Sequence, residues 1–564
     1  MKKKIQFYQT RFISSLKDML ESSCNLYGSK TACLVKKGKG EPYTEISFRE
    51  LKRDVDALGS SLMELGLQGS NIAIIGENSY EWLVSYLAVI NGVGVVVPLD
   101  KELPLDEQLN LIKRSEVAAI IYDPSFSSNY EPTSIPFKIN MHPKELRDDE
   151  LSLFHLIEKG NGLLDHGYTD YLNRQIDPEK MAAILFTSGT TDLAKGVVLS
   201  HKNICSVIMS TCRIVEIHES DRTLSILPIH HTFECTLGIL LPLYKGASIA
   251  FCEGLKYIAA NIVEAEATVL IGVPLILESI HSKIWKQAQK VGKEKSLKTG
   301  IKISNLMRKA HIDLSRKIFK DIHKKFGGKL RLVVTGAAAI NPAVIRDFEN
   351  FGIKVVQGYG LTECAPLVTG TPDTARKVGS VGIAVPTVEV ELFEPNEDGI
   401  GEIICKGPNI MLGYYKDELN TEKVLKNGWF YTGDLGYKDE EGFYYIAGRK
   451  KNVIVTKNGK NIYPEEVEFY LNMHDIIEES LVTGITNAKT GETLVSAQLK
   501  PALDIIYEKF GNLAEKDLYE LFRNLIHDLN DKLPLYKRIR DFSIRKEDFI
   551  RTTTKKIKRH MNHV

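Results

Sequence analysis

Apolar residues recur at helical spacing through SFRELKRDVDALGSSLMELG. A short, wholly apolar run, NIAIIGE, follows and stops at a glycine. The next stretch, EWLVSYLAVINGVGVVVPLD, reads as a helix, a glycine turn and a second buried strand, and VAAIIYD supplies a third. Helical and strand periods that alternate in this way predict a parallel sheet covered by helices. The theme returns in MAAILFTSG, TLSILPI, ATVLIGVP, LRLVVTGAA and IKVVQGYG. Each is a strand running into a loop rich in Gly, Thr or Pro, which is where open α/β sheets place their ligands. From Val378 to about Tyr445 the texture changes to short alternating strands (TVEVELFE, GEIICKG, FYYIAG) between Asn-, Asp- and Gly-rich turns, predicting a small β unit. An α/β stretch then runs to the C-terminus, with a domain boundary expected near Arg449.

Composition narrows the picture. At 564 residues, 43% hydrophobic and 26% charged, the chain has ample material for a core and none of the bias of a disordered or fibrous sequence. A net charge of +1 argues against a dedicated nucleic-acid binder. No two of the eight cysteines stand at CxxC spacing, which opposes a zinc ribbon and favours a reducing compartment; cytoplasmic localisation is expected. The N-terminus is basic but lacks the apolar core of a signal peptide. The apolar stretch Phe233–Phe251 is interrupted by Lys245 and is expected to be buried strand and helix rather than a membrane span.

One segment is electrically unusual. Residues 281–329 hold fifteen Lys/Arg and three Asp/Glu, a local balance of +12. Leu306, Ala310, Leu314, Ile318, Ile322 and Phe326 recur there every four residues, which predicts an amphipathic helix. Its basic face is either merely solvated or rests on an anionic membrane surface, such as the inner face of a cell membrane.

The strongest chemical signal is FTSGTTDLAKGVVLSHKN, from Phe186 to Asn203. Hydroxyls and free amides crowded into a Gly-containing turn can cradle phosphate oxygens, and Lys195 adds positive charge. The Gly-to-Lys spacing is not that of a Walker A loop. In LPIHHTFE, paired His230 and His231 stand near Glu234 without the HExxH spacing of a zinc site.

With LVVTGAAAI, QGYGLTECAP, GWFYTGDLG, IAGRKKNVI, NGKNIYPEEVE and TTTKKIKRH, the ordered set resembles the adenylate-forming (AMP-binding) enzymes, most of all their long-chain fatty acid–CoA ligases, from about Ser47 to Arg559. The resemblance implies an α/β fold. Residues 1–448 would form a large N-terminal domain of layered α/β subdomains with a small β unit, and residues 449–564 a small mobile α+β lid carrying the catalytic lysine. It implies that a carboxylate is joined to AMP from ATP, with loss of pyrophosphate, and that the acyl group then passes to a thiol, here CoA. An anionic carboxylate must approach an anionic triphosphate, so Mg²⁺, cations and N–H donors are needed where charge develops.

By the same resemblance, Thr187, Ser188, Gly189, Thr190, Thr191 and Lys195 would hold the β/γ-phosphates, and Gly336, Ala337 and Ala338 would line the adenine and acyl pockets. In the QGYGLTE block (Gln357, Gly358, Tyr359, Gly360, Thr362, Glu363), Tyr359 would lie along adenine, Thr362 bond the α-phosphate and Glu363 hold Mg²⁺. Asp434 and Arg449 would take the ribose. His231 would border the acyl pocket, with Phe233 and Glu234 in the same wall. Lys556 would bridge carboxylate and α-phosphate, Lys451 would be the hinge, and Gly459 with Asn461 would face the site during thiol transfer.

Two departures from the family pattern stand out. Asp192 and Ala194 replace a Gly and a Pro of the phosphate block, and Lys555 replaces the Gly before the catalytic lysine. The small residues of TGAAAI and the long helical insertion before GGKLRLVVTG favour a long-chain fatty acid. An acyl carrier protein as acceptor, another carboxylic acid, or a non-catalytic nucleotide-binding regulator remain as alternatives.

Overall fold

The computed structural model describes residues 5–130, 133–143, 145–187, 194–310, 312–456, 460–486, 492–551 and 557–562. It divides into two compact units: Met1–Val390 with Cys405–Phe430, and Glu391–Ile404 with Tyr431–Val564. The architecture is mixed α/β, with a large N-terminal unit and a smaller C-terminal one.

Two sheets organise the larger unit. One has nine strands, in the order Ile383–Ala384, Thr369–Gly370, Lys354–Tyr359, Leu332–Thr335, Val269–Gly272, Arg222–Ser225, Ser248–Phe251, Thr31–Val35, Thr44–Ser47. Its six strands from Lys354–Tyr359 to Thr31–Val35 are parallel, and the edges are antiparallel. The other sheet has eight strands, with Asn71–Ile75 between Val95–Pro98 and Val117–Tyr122; beyond Val95–Pro98 come Met181–Thr187 and its antiparallel partner Lys195–Ser200, and Gly413–Tyr414 is the edge strand on that side. The apolar runs become central strands because burial on both faces removes their side chains from water, as for Ile72, Ala73, Ile74, Val96 and Val97, all at 0% exposure. Helix Phe48–Glu64 starts on a capping box: Ser47 accepts from the Glu50 amide while Glu50 accepts from the Ser47 amide. Such a cap contributes about 1 kcal/mol.

The basic segment does not form one helix. It is divided among the end of Pro274–Lys290 and the helices Glu294–Lys309, Ser315–Ile318 and Lys320–Lys325. A repeat of four advances about 40° per step on a 3.6-residue helix, so five steps carry the stripe about 200° around the axis. No straight helix can bury all of it. The breaks re-aim Phe319 and Phe326 into the core, where they meet Phe351 and Phe348, while Leu306 is left 68% exposed.

Phe233–Leu240 and Leu241–Lys245 are helical and Ser248–Phe251 is a strand. None of the described helices is long and apolar enough to cross a membrane.

In the smaller unit, Ile477–Thr486, Thr493–Pro501 and Ile539–Ile544 make a three-stranded sheet. Helices Pro464–Asn472 and Glu515–Asn530 pack on it through Val467, Leu471, Phe522 and Leu529.

Candidate active site

The phosphate-type block begins on strand Met181–Thr187, resumes on its partner Lys195–Ser200, with Thr187 opposite Lys195, and ends in the first turn of helix His201–Ile214. Ser188, Gly189, Thr190, Thr191 and Asp192 lie outside the described residues, as do Gly459, Lys555 and Lys556. Ala194 packs against the apolar cluster of Ile184 and its neighbours. The Lys195 ammonium sits 4.8 Å from the ring centre of Tyr414, and the Tyr414 hydroxyl donates to Glu363 Oε1 at 3.0 Å. Tyr414 thus links the lysine of one motif to the carboxylate of another 168 positions along the numbering. Burial beside Glu363 raises the Tyr414 hydroxyl above the usual phenol range, so it stays protonated and remains a donor.

Two amide side chains fix this arrangement. Asn203 donates to the carbonyls of Pro408 and Ile410, both at 2.8 Å, and Asn409 donates to Leu367 O at 2.9 Å. The Met411 amide donates to Glu363 O at 2.8 Å. The loop that delivers Tyr414 is therefore held to both motif segments. Tyr414, Asn203 and Asn409 were not singled out from the sequence; a Tyr in GYYKD and an Asn in a helix cap carry no local signal of such a role.

Strand ends of the nine-stranded sheet build the neighbouring surface. Gly336 follows Leu332–Thr335 and is buried; a Cβ on it would lie 3.0 Å from Gly358 O and 3.6 Å from the Phe233 ring. Glycine there lets the two strand ends and the ring approach. Ala337, at φ 69°, and Ala338 are exposed. Gln357 is buried, its carbonyl accepting from Thr371, while Tyr359 ends its strand half-buried. Gly360 abuts Pro366 so closely that a Cβ would fall 1.8 Å from Pro366 O. Thr362 and Glu363 form a single helical turn, both half-buried.

His231 and Phe233 lie half-buried after strand Arg222–Ser225. The Phe233 amide donates to His231 Nδ1 at 3.2 Å, which places the proton of a neutral ring on Nε2.

In the smaller unit, Asp434 and Arg449 face each other across a hairpin, with Arg449 Nε 2.7 Å from Asp434 Oδ1. Asp434 is 4% exposed, whereas Arg449 keeps much of its side chain in solvent. Lys451 is exposed in the turn Lys450–Asn452; partial burial and the charges of Arg449 and Arg559 hold its ammonium below the ordinary lysine range. Asn461 is exposed in the short strand Asn461–Ile462. The described residues hold no cluster of three or more His, Cys, Asp or Glu able to chelate a metal.

Residues 20–415 match the family model described as AMP-binding enzyme. The chain belongs to this family. It is 30% identical over 473 residues to long-chain-fatty-acid–CoA ligase 5 of Rattus norvegicus, covering 77% of this chain and 68% of that one. It is 25% identical over 556 residues to the long-chain-fatty-acid–[acyl-carrier-protein] ligase AEE15, chloroplastic, of Arabidopsis thaliana, covering 85% and 76%. The fold is similar to that of ATP-bound MatB from Rhodopseudomonas palustris, with TM-score 0.76, 26% identity and 98% of each chain covered. The protein is an adenylate-forming ligase of the acyl-CoA ligase type.

Proposed function

We propose that this ligase activates a long-chain fatty acid with ATP to an acyl-adenylate, releasing pyrophosphate, and then transfers the acyl group to CoA, giving acyl-CoA and AMP. The observation that carries this reading is the Lys195–Tyr414–Glu363 chain, which puts a cation and a carboxylate on either side of one phenol. Thr187 and Lys195, with Ser188 to Thr191, would hold the β/γ-phosphates, and Thr362 the α-phosphate. Glu363 would hold Mg²⁺. A single oxygen donor fits this ion, which is commonly held by one or two carboxylates plus substrate phosphates. Bound there, Mg²⁺ would supply charge neutralisation at the transferring phosphorus.

Tyr359 with Gly336, Ala337, Ala338, Gln357, Gly358 and Gly360 would receive the adenine, and Asp434 and Arg449 the ribose. The lid would be residues 449–564 hinged at Lys451, with Lys556 serving adenylation and Gly459 and Asn461 serving thiol transfer. The long-chain preference is supported by the rat relative and by the small exposed side chains of Ala337 and Ala338. A second acceptor, an acyl carrier protein, is favoured by the Arabidopsis relative and by the +12 segment, which suits an acidic partner.

Peripheral attachment to an anionic membrane is part of the same proposal. Helix Pro274–Lys290 turns Leu275, Lys283, Lys286 and Lys290 outward, and Glu294–Lys309 turns Lys295, Lys302, Leu306 and Lys309 outward. Lysines around an exposed apolar residue suit an anionic interface. Flotation with anionic liposomes at low salt should carry the protein, and high salt should release it; no low-salt binding would remove the membrane from this picture.

Pyrophosphate release with short, medium and long fatty acids, with and without CoA, tests the reaction. Release that grows with chain length and thioester formed only with CoA are the expected results. Release without thioester points to another acceptor, and no release with any acid to a nucleotide-binding regulator. Lys556→Ala should abolish adenylate formation yet largely spare thioester formation from supplied acyl-adenylate.

A further inference from the structure

We propose that Asn78, Ser225 and Glu234 form a positioning relay that sets the 226–233 loop, and so the rings of His231 and Phe233, against the reacting groups. This rests on the acyl-adenylating reading above and adds residues to it that touch no substrate.

The relay begins in the other sheet. Asn78 lies in the loop after strand Asn71–Ile75. Its Nδ2 donates to Ser225 Oγ at 2.9 Å and to Leu227 O at 2.7 Å, and its Oδ1 accepts from the Ile229 amide at 3.1 Å. One side chain thereby satisfies both ends of the loop that leads to His230 and His231. A second contact from the same sheet is weaker: Asp100, beyond strand Val95–Pro98, stands 3.6 Å from His230 Nε2.

Glu234 receives the relay on the far side. It is 0% exposed, at the start of the π-helical segment Phe233–Leu240, so it does not line the acyl-pocket wall that the resemblance assigned to it. Its carboxyl lies beside the Ser225 hydroxyl and the Ile226 and Leu227 amides, yet neither oxygen makes a hydrogen bond of normal geometry. Gly238, one turn on, leaves the space it occupies: a Cβ there would fall 2.9 Å from the Glu234 carboxyl. A buried, under-bonded carboxyl with a recess cut for it is costly unless it serves the loop it touches.

Among the described residues, no cation faces this group. The titratable groups around it are the thiols of Cys235 and Cys252, which burial pushes up, Cys235 to about 12. Burial also pushes the Glu234 carboxyl up to about 8, so near neutral pH it is protonated, its O–H able to donate to Ser225 Oγ and its carbonyl oxygen to accept from the Ile226 and Leu227 amides. Ionisation above that range would put an uncompensated charge behind His231 and disturb the loop.

The test is acid-dependent pyrophosphate release without CoA, which avoids titration of the thiol, measured across pH for wild type, E234Q, N78A and G238A, with thermal melts of each. E234Q keeps a neutral donor of the same shape. It should retain wild-type kcat at neutral pH and lack the decline in activity expected of wild type around pH 8. N78A and G238A should lower kcat by about 10- to 100-fold, the scale of a misplaced reacting group, with the KM for ATP nearly unchanged. An E234Q profile that keeps the wild-type decline overturns the relay. So do N78A and G238A variants with wild-type kcat, or with kcat and KM for ATP impaired together in proportion to a lowered melting temperature. A wild-type protein inert toward every acid overturns the acyl-adenylating reading and the relay with it; an active wild type with unaffected variants overturns the relay alone.

Discussion

The nine-stranded and eight-stranded sheets of the larger unit share a parallel core but differ in what their strand ends do. Parallel strands of the nine-stranded sheet end in Ser225, Thr335 and Tyr359, and the loops that follow carry His231, Gly336 and the Thr362–Glu363 turn. Two of those of the eight-stranded sheet, Asn71–Ile75 and Val95–Pro98, end near Asn78 and Asp100, which reach toward the first sheet's loop instead of standing in the candidate site. Candidate phosphate contacts on this sheet come from Thr187, at the end of a strand that pairs parallel with Val95–Pro98, and from Lys195 on its antiparallel partner. The C-terminal end of a parallel strand is therefore not by itself a ligand site. It can equally brace one that another sheet presents.

This contrast ranks the expected losses. Glu363→Ala removes a group placed at developing charge, and acid-dependent pyrophosphate release should fall by about 100- to 1,000-fold. If Asn78→Ala costs as much in kcat and also raises the KM for ATP, the distinction between site and brace fails. Tyr414→Phe deletes only the hydroxyl that orients Glu363; kcat/KM for ATP should drop about 10-fold, in line with one lost hydrogen bond to a charged group of roughly 1.5 kcal/mol. Asp100→Asn weakens a long pair to a histidine whose proton affinity burial already lowers more than Asp100 raises it, so activity should stay within about threefold of wild type.

The smallest effect sharpens the picture in stability rather than rate. The Glu234 carboxyl is pushed up from 4.5 to about 8 in the folded protein. The folded state then binds the proton more tightly than the unfolded state. Its stabilising contribution is fully present below the unfolded value and is lost as pH rises through the folded one. The melting temperature of E234Q relative to wild type should therefore climb from about pH 5 to about pH 8.5. A difference that does not change with pH would mean that Glu234 is already ionised in the fold.

Much of the frame was legible beforehand. NIAIIGE, LRLVVTGAA and IKVVQGYG become strands running into the loops expected of them, and MAAILFT becomes a strand, because a buried parallel strand needs an unbroken apolar run and its exit needs small or polar residues. The basic segment misled, since a four-residue repeat resembles a helical stripe locally but winds off one face over twenty residues. The roles of Tyr414 and Asn78 were not legible in the sequence. Each works through a hydrogen bond to a residue far along the chain, Glu363 and Ser225, and no local pattern encodes such a pairing.

What the sequence alone determined was the alternation of strand and helix and the supply of hydroxyls, glycines, a lysine and carboxylates at strand exits. Those follow from local periodicity and side-chain chemistry. Only the tertiary structure decided that Lys195 and Glu363 share Tyr414, that Asn78 holds the His231 loop, and that Glu234 is sealed from water. Contacts of that kind depend on how two sheets pack, and packing is a property of the whole chain rather than of any segment of it.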